Sequence, residues 1–343
     1  MIDVVIVALI AVAFYMGWNI GANDTANCMG TVVGGGILSH RRAIMLFTLF
    51  ATLGCVTFGY LVMKTVGADI VVAPAGAPLA FSRLPVAAIA ALVGAGLWVT
   101  IATFLKLPVS TSHSIVGGVI GAGILILYVI SPPELAGYSL SLSTLQKIMI
   151  SWILTPVAAL LFAFVFYHVF RLSLRGVKDI LKLNRIYAAL AIITGTILAF
   201  SLGANDVGNA TGAVYAVFGK GGVELGLQRI LALFGGVALS IGAITYSKKV
   251  IETVGSDITG LGPATAFVGQ LGAAVTVMIF TLLSIPVSTS HAIVGAVIGV
   301  GLVRGMKAVK GGVVKKIVAA WVLTPFIAAL ISLTIGFVLM GVT

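Results

Sequence analysis

The hexapeptide Pro108-Val109-Ser110-Thr111-Ser112-His113 returns unchanged as Pro286-Val287-Ser288-Thr289-Ser290-His291, 178 residues later. Outward from it, Gly21-Ala22-Asn23-Asp24 returns as Gly203-Ala204-Asn205-Asp206 at an offset of 182, which Asn27 and Asn209 keep. Thr65-Val66-Gly67 followed by Asp69 matches Thr253-Val254-Gly255 followed by Asp257 at an offset of 188. Trp152, Thr155 and Pro156 match Trp321, Thr324 and Pro325 at an offset of 169. Four matches in one order, with slowly drifting offsets, mean a duplicated half. Residues 1–170 form the first repeat, 171–185 a linker and 186–343 the second repeat.

Composition identifies the solvent. Of 343 residues, 60% are hydrophobic and 8% charged, where a soluble domain carries about 25% charged residues. The 20 basic and 9 acidic side chains cannot cover a water-exposed surface of this size, and the apolar content excludes disorder. A helix needs about 20 apolar residues to cross the hydrocarbon core. Suitable stretches fall at roughly 2–20, 43–63, 85–105, 114–130, 146–170, 186–202, 228–246, 263–283, 292–303 and 313–341. The reading is an all-α polytopic membrane protein with about 10–12 transmembrane helices, some broken or re-entrant. The 42 glycines fit close helix approach and interrupted helices. Ile2–Trp18 has no basic n-region or small-residue cleavage site and reads as a first span. Cys28 and Cys55 show no metal-ligand spacing.

The excess of positive charge sets an orientation. With both termini outside and five crossings per half, the inside loops lie near 39–42, 105–113, 171–185, 247–261 and 304–316. They carry fifteen of the 20 Lys and Arg residues, as the positive-inside rule requires. An odd number of crossings per half makes the halves antiparallel, which is the inverted-repeat plan of secondary transporters. No basic stretch alternates with aromatics, so nucleic acid is not an expected partner.

Chemistry-bearing residues concentrate in the repeats. Pro is pre-set for a first helical turn, and Ser and Thr are preferred N-caps. Each Pro-Val-Ser-Thr-Ser-His copy therefore predicts a helix beginning part-way through the membrane. The unpartnered first-turn N–H groups and the hydroxyls of Ser110, Thr111, Ser112, Ser288, Thr289 and Ser290 would then form an anion site without Lys or Arg. The plain alternative is that these hydroxyls back-bond within a helix. In the other motif, Gly21 and Gly203 are positioned to end a helix that the next Asn-Asp re-caps, which predicts a break. A carboxylate at membrane depth is a functional-site hypothesis. Asp24 and Asp206, with the amide oxygens of Asn23, Asn27, Asn205 and Asn209 and carbonyls freed at the break, would suit a small hard cation. The plain alternative places each Asp at the interface. His113 and His291 read equally as donors to a backbone carbonyl or as ligands. Trp152 and Trp321 read as packing or interfacial anchors, with Pro156 and Pro325 adding kinks. Gln270, without a polar counterpart in the other half, reads as an interhelical hydrogen bond. Asp69 and Asp257 read as a cap or a gate contact.

Paired Gly-Ala-Asn-Asp-x-x-Asn and Pro-Val-Ser-Thr-Ser-His segments, one pair per half, resemble the PiT family of inorganic phosphate transporters, which are sodium- or proton-coupled symporters. The resemblance covers nearly the whole chain. It implies a secondary transporter that imports phosphate with sodium, phosphate lying at the repeat interface on Asn27, Asn209 and the two Ser-Thr-Ser clusters. Sodium would sit on Asn23, Asp24, Asn205 and Asp206, with no other cofactor. The long hydrophilic loop of many relatives is absent, since the linker holds only about fourteen residues. The implied partners are inorganic phosphate, sodium and membrane lipid, and analogy with other inverted-repeat transporters adds a homodimer. The main alternative is a proton-coupled phosphate or other oxyanion symporter. An intramembrane hydrolase would need one asymmetric nucleophile and base, whereas every candidate here is duplicated, so enzymatic activity is not expected.

Overall fold

A computed structural model describes residues 2–105, 109–219, 225–258, 262–304 and 311–341. Its helices are α1 (Ile2–Gly34), α2 (His40–Lys64), α3 (Ala80–Arg83), α4 (Pro85–Phe104), α5 (Thr111–Ile124) and α6 (Leu142–Ser173) in the first half. They continue as α7 (Ile180–Phe218), α8 (Leu225–Ile258), α9 (Pro263–Leu282), α10 (Thr289–Arg304) and α11 (Gly311–Gly341). Among the described residues, nine helical segments are long and apolar enough to cross a membrane, and Thr289–Val303 is a shorter apolar one. Together these ten match the ten apolar stretches of the sequence. A two-stranded antiparallel ladder pairs β1 (Val71–Val72) with β2 (Ser139–Leu140).

The packing follows the sequence repeat. α1 lies on α8 and α2 on α7, giving a central four-helix group. Beside it, α5 packs on α4 and α11, and α10 packs on α9 and α6. α1 and α7 are the equivalent helices of the two halves, and they run antiparallel. The Gly17 Cβ position is 3.5 Å from Ala210, whereas the Gly195 position is 3.3 Å from the Cys28 carbonyl.

Two local expectations are corrected. No break occurs at Gly21 or Gly203: α1 and α7 run without interruption through Asp24 and Asp206. These glycines serve close approach instead. A Cβ on Gly21 would stand 1.8 Å from the Leu239 carbonyl oxygen, and one on Gly203 would stand 1.9 Å from that of Ala51. Carbonyls freed at a helix break are therefore not part of the site. Nor does Pro286 enter the first turn of α10, because Ser288, two residues later, is the cap, its hydroxyl accepting from the His291 N–H at 3.2 Å. Pro108 and the basic loop 305–310 lie outside the described residues, as does the side chain of Asp257. Asp69 forms an ion pair with Lys64 at 3.8 Å.

Gly203→Ala tests the helix contact against Gly269→Ala on α9, where an added Cβ meets nothing within 4 Å. We expect Gly203→Ala to lower the unfolding midpoint of the detergent-purified protein, an overpacking cost of about 1–3 kcal/mol. Gly269→Ala should hold or raise the midpoint, because Ala is the better helix former.

Candidate functional site

Both Ser-Thr-Ser motifs begin helices inside the protein. Ser110 caps α5, its hydroxyl accepting from the His113 N–H at 3.2 Å, in the same geometry as Ser288 on α10. Thr111 and Ser112, and equally Thr289 and Ser290, occupy the first helical turn, whose N–H groups have no partner within the helix. All six hydroxyl residues are buried. Against these two helix starts lie the polar faces of α1 and α7.

The wiring has two-fold character. Asp24 Oδ2 accepts from the Thr111 hydroxyl at 2.8 Å, and Asp24 Oδ1 from Asn27 Nδ2 at 3.1 Å. Asp206 Oδ1 accepts from Asn209 Nδ2 at 3.1 Å, and Thr289 is its hydroxyl neighbour. The asparagines also reach across the halves. Asn27 Nδ2 donates to Ser290 Oγ at 2.9 Å, and Asn209 Nδ2 donates to Ser112 Oγ at 2.9 Å. Ser112 in turn donates to the Val287 carbonyl at 2.8 Å and lies 3.3 Å from Asp206 Oδ1. Each half thus contributes its carboxylate–amide pair and one hydroxyl cluster to a single centre.

Asn23 and Asn205 do different work. Asn23 Nδ2 donates to Thr103 Oγ1 at 2.8 Å, and Asn205 Nδ2 donates to Thr281 Oγ1 at 2.9 Å. Asn205 also donates to the Ile285 carbonyl at 3.1 Å and accepts from the Val287 N–H at 3.0 Å. Its amide braces the chain between α9 and α10. Thr103 and Thr281, an offset pair in the sequence, are the receiving posts of this brace.

Electrostatically the centre is a paradox. Asp24 and Asp206 are 1% and 0% exposed, yet the ion pair among the described residues is Lys64–Asp69, and neither buried aspartate has a basic partner. Among the described residues, Asp206 Oδ2 and Asn209 Oδ1 are buried and accept no well-formed hydrogen bond, the Thr289 hydroxyl being the nearest donor beside Asp206. Unpaired buried acceptors of this kind carry a large desolvation cost, and oxygen-only sets suit hard cations. The second-half side is sealed, with Asn205 and Asn209 buried, while Asn23 and Asn27 are half-buried.

Two features escaped the sequence. Asn27 with Ser290, and Asn209 with Ser112, join residues of opposite halves, and no local pattern announces them. Beside the centre, Tyr15, Asn19 and Thr100 form a network on α1 and α4 through Thr100 Oγ1 to Asn19 Oδ1 at 2.9 Å, and it lacks a counterpart in the repeat. Gln270 does make the interhelical bonds its isolation suggested, donating to the Cys28 carbonyl and Thr31 Oγ1 at 2.7 Å each.

Comparison with known proteins gives this centre its context. The model of the phosphate transporter family matches residues 20–182 and 175–332. The chain belongs to that family. Among its relatives, a protein of Pyrococcus furiosus assigned as a phosphate permease is 32% identical, over 96% of this chain and 95% of its own. One from Chlamydia pneumoniae, assigned likewise, is 32% identical over 97% and 98% of the two chains. A solved structure described as the sodium-dependent phosphate transporter superposes with a TM-score of 0.88 at 29% identity, covering 99% of this chain and 100% of that one. This phosphate transporter family member is therefore a multi-pass membrane protein.

Replacing Ser110, Thr111 and Ser112 together by Ala removes three hydroxyls, among them one donor to Asp24 and one to Asp206. The variant should raise the KM for radiolabelled phosphate uptake into proteoliposomes by at least about tenfold, since hydrogen bonds to charged groups contribute about 1.5–3 kcal/mol each. Thr334→Ala, which removes a hydroxyl back-bonded to the Leu330 carbonyl, should leave the KM unchanged.

Proposed function

We propose that the chain is a secondary active transporter that imports inorganic phosphate together with sodium ions. Phosphate binds near the midplane between the starts of α5 and α10, on Ser110, Thr111, Ser112, Ser288, Thr289 and Ser290, with Asn27 and Asn209 opposite. Sodium is held by Asp24 and Asp206 with the amide oxygens of Asn23 and Asn205, whose Nδ2 groups brace the neighbouring chain segments. The two halves act as an inverted repeat with both termini outside. Support for that arrangement comes from the antiparallel course of α1 and α7 and from the basic inside loops.

The observation that carries the proposal is a buried, acceptor-rich centre at which the described residues place no Lys or Arg. Two carboxylates and an anion cannot share such a place unless cations arrive with the substrate. Coupling then has a physical basis, because sodium on the carboxylates converts a site that repels phosphate into one that attracts it. The solved relative is described as sodium-dependent, which supports the choice of ion.

The site also bears on which oxyanion is accepted. Dihydrogen phosphate has hydroxyls to donate to Asp24, Asp206, Asn27 or Asn209 as well as oxygens to accept from Ser and Thr. Sulfate has only acceptors and meets the carboxylates unprotonated. A tenfold excess of sulfate should leave phosphate uptake unchanged, whereas arsenate, protonated like phosphate, should compete for it.

Proteoliposomes with an imposed sodium gradient at constant pH should accumulate phosphate. Accumulation driven by a pH gradient alone would overturn sodium coupling and turn Asp24 and Asp206 into proton carriers. Asp24→Asn should abolish sodium-dependent uptake while the folded protein remains in the membrane. Unchanged uptake in that variant would remove Asp24 from the cation site.

A further inference from the structure

Each proline-bearing helix, α6 and α11, has one carbonyl that its own ladder cannot satisfy. In an α-helix the carbonyl of residue i accepts from the N–H of residue i+4. Trp152 stands four residues before Pro156, and Trp321 four before Pro325, and proline has no N–H to give. A carbonyl left unpaired at membrane depth costs several kcal/mol. In both helices the missing donor comes from the other half of the protein. His291 Nδ1 lies 3.1 Å from the Trp152 oxygen, and His113 Nδ1 lies 3.1 Å from the Trp321 oxygen. A carbonyl only accepts, so Nδ1 carries the proton in both rings. The Nε2 atoms of both histidines are buried with no partner among the described residues.

The surrounding packing is built for this contact. On α5, His113, Gly117 and Gly121 face Trp321, Pro325 and Ala329 of α11. A Cβ on Gly117 would stand 2.2 Å from the Pro325 oxygen, and one on Gly121 would stand 2.2 Å from that of Ala329. On α10, His291, Gly295 and Gly299 face Trp152, Pro156 and Leu160 of α6, with corresponding distances of 2.1 and 2.3 Å. The rings complete the arrangement. His113 stacks on Trp152 with centroids 3.8 Å apart, His291 lies on Trp321 at 3.6 Å, and the two imidazoles meet edge to face at 4.5 Å.

The same two histidines belong to the capping turns. Their backbone N–H groups donate to Ser110 and Ser288, the residues that open α5 and α10. One residue therefore joins a hydroxyl-bearing helix start to the proline-freed carbonyl of the opposite half. We infer that His113 and His291 are positioning residues for the oxyanion site: through Nδ1–H they lock the two helix starts to the opposite halves and to each other. They act through Thr111, Ser112, Thr289 and Ser290 and do not touch the substrate. This rests on the reading of those hydroxyls as the phosphate site.

The test separates the two readings. Histidine labelled with 15N in the lipid-reconstituted protein should show Nδ1-protonated rings that disappear one at a time in His113→Asn and His291→Asn. An Nε2-protonated tautomer at either position overturns the inference, whatever the protein transports. In uptake assays, Asn places an amide N–H at the Nδ1 position, and Gln places it near Nε2. His113→Asn should keep the phosphate KM within about twofold, and His113→Gln should raise it about tenfold, the effect of one lost hydrogen bond. Pro325→Ala gives the Trp321 carbonyl an in-helix donor that competes with His113 for it. It should raise KM similarly, with little further effect of His113→Gln in the same chain. Equal KM values for the Asn and Gln variants, or additive effects of Pro325→Ala and His113→Gln, would overturn the positioning role. Should His113→Gln not fold, the tautomer measurement on the wild-type protein decides, and an Nε2-protonated ring at either position overturns the inference. Wild-type protein that takes up no phosphate under any gradient would defeat the transport reading and leave the tautomer measurement standing.

Discussion

A carboxylate buried in an apolar protein must find its partners inside the protein, and the rest of this structure follows from that constraint. Asp24 and Asp206 lie in the middle of long helices whose own polar groups are spent on the helical ladder. Donors must come from elsewhere, and hydroxyls at the open ends of α5 and α10 supply them. For a helix to begin there, the chain has to leave regular structure at membrane depth, which is tolerated only where protein covers it. Asn205 supplies part of that cover by occupying backbone groups of residues 285 and 287, while Gly21 and Gly203 let α1 pack closely on α8 and α7 on α2.

The sequence made the membrane class and the duplication legible because both are written locally, in composition and in repeated words. Helix starts at Ser110 and Ser288 were legible too, since capping chemistry involves residues only three apart. Continuity at Gly21 and Gly203 was not. Glycine followed by Asn-Asp is a stop signal in isolation, and what overrides it is the Leu239 and Ala51 backbone on other helices. Trp152 and Pro156 advertise a free carbonyl by their spacing, but nothing nearby says that His291 fills it. Asn23 and Asn205 read as ligands from their amide oxygens, and only the fold shows their Nδ2 groups engaged with Thr103 and Thr281.

The two halves are alike in plan and unequal in detail. Tyr15, Asn19 and Thr100 hold one flank of the centre, on the N-terminal side of Asp24 along α1. Gln270, Thr31 and Thr194 hold the other flank. Neither group is copied at its repeat position, where Ile197 and Ser201 correspond to Tyr15 and Asn19. Exposure differs in the same sense, with Asn27 half-buried and Asn209 buried. A symmetric centre thus sits within unequal flanks.

The crosswise wiring has a consequence for biogenesis. A chain is made from its N-terminus, and the first half enters the bilayer with several of its partners not yet synthesised. Asp24 meets Thr111 early, but Asn27 waits for Ser290 and His113 for the Trp321 carbonyl, each more than two hundred residues further on. Until then the nascent half holds polar groups in hydrocarbon that only the second half can relieve. The contacts that satisfy these groups can therefore form only once α10 and α11 have been made.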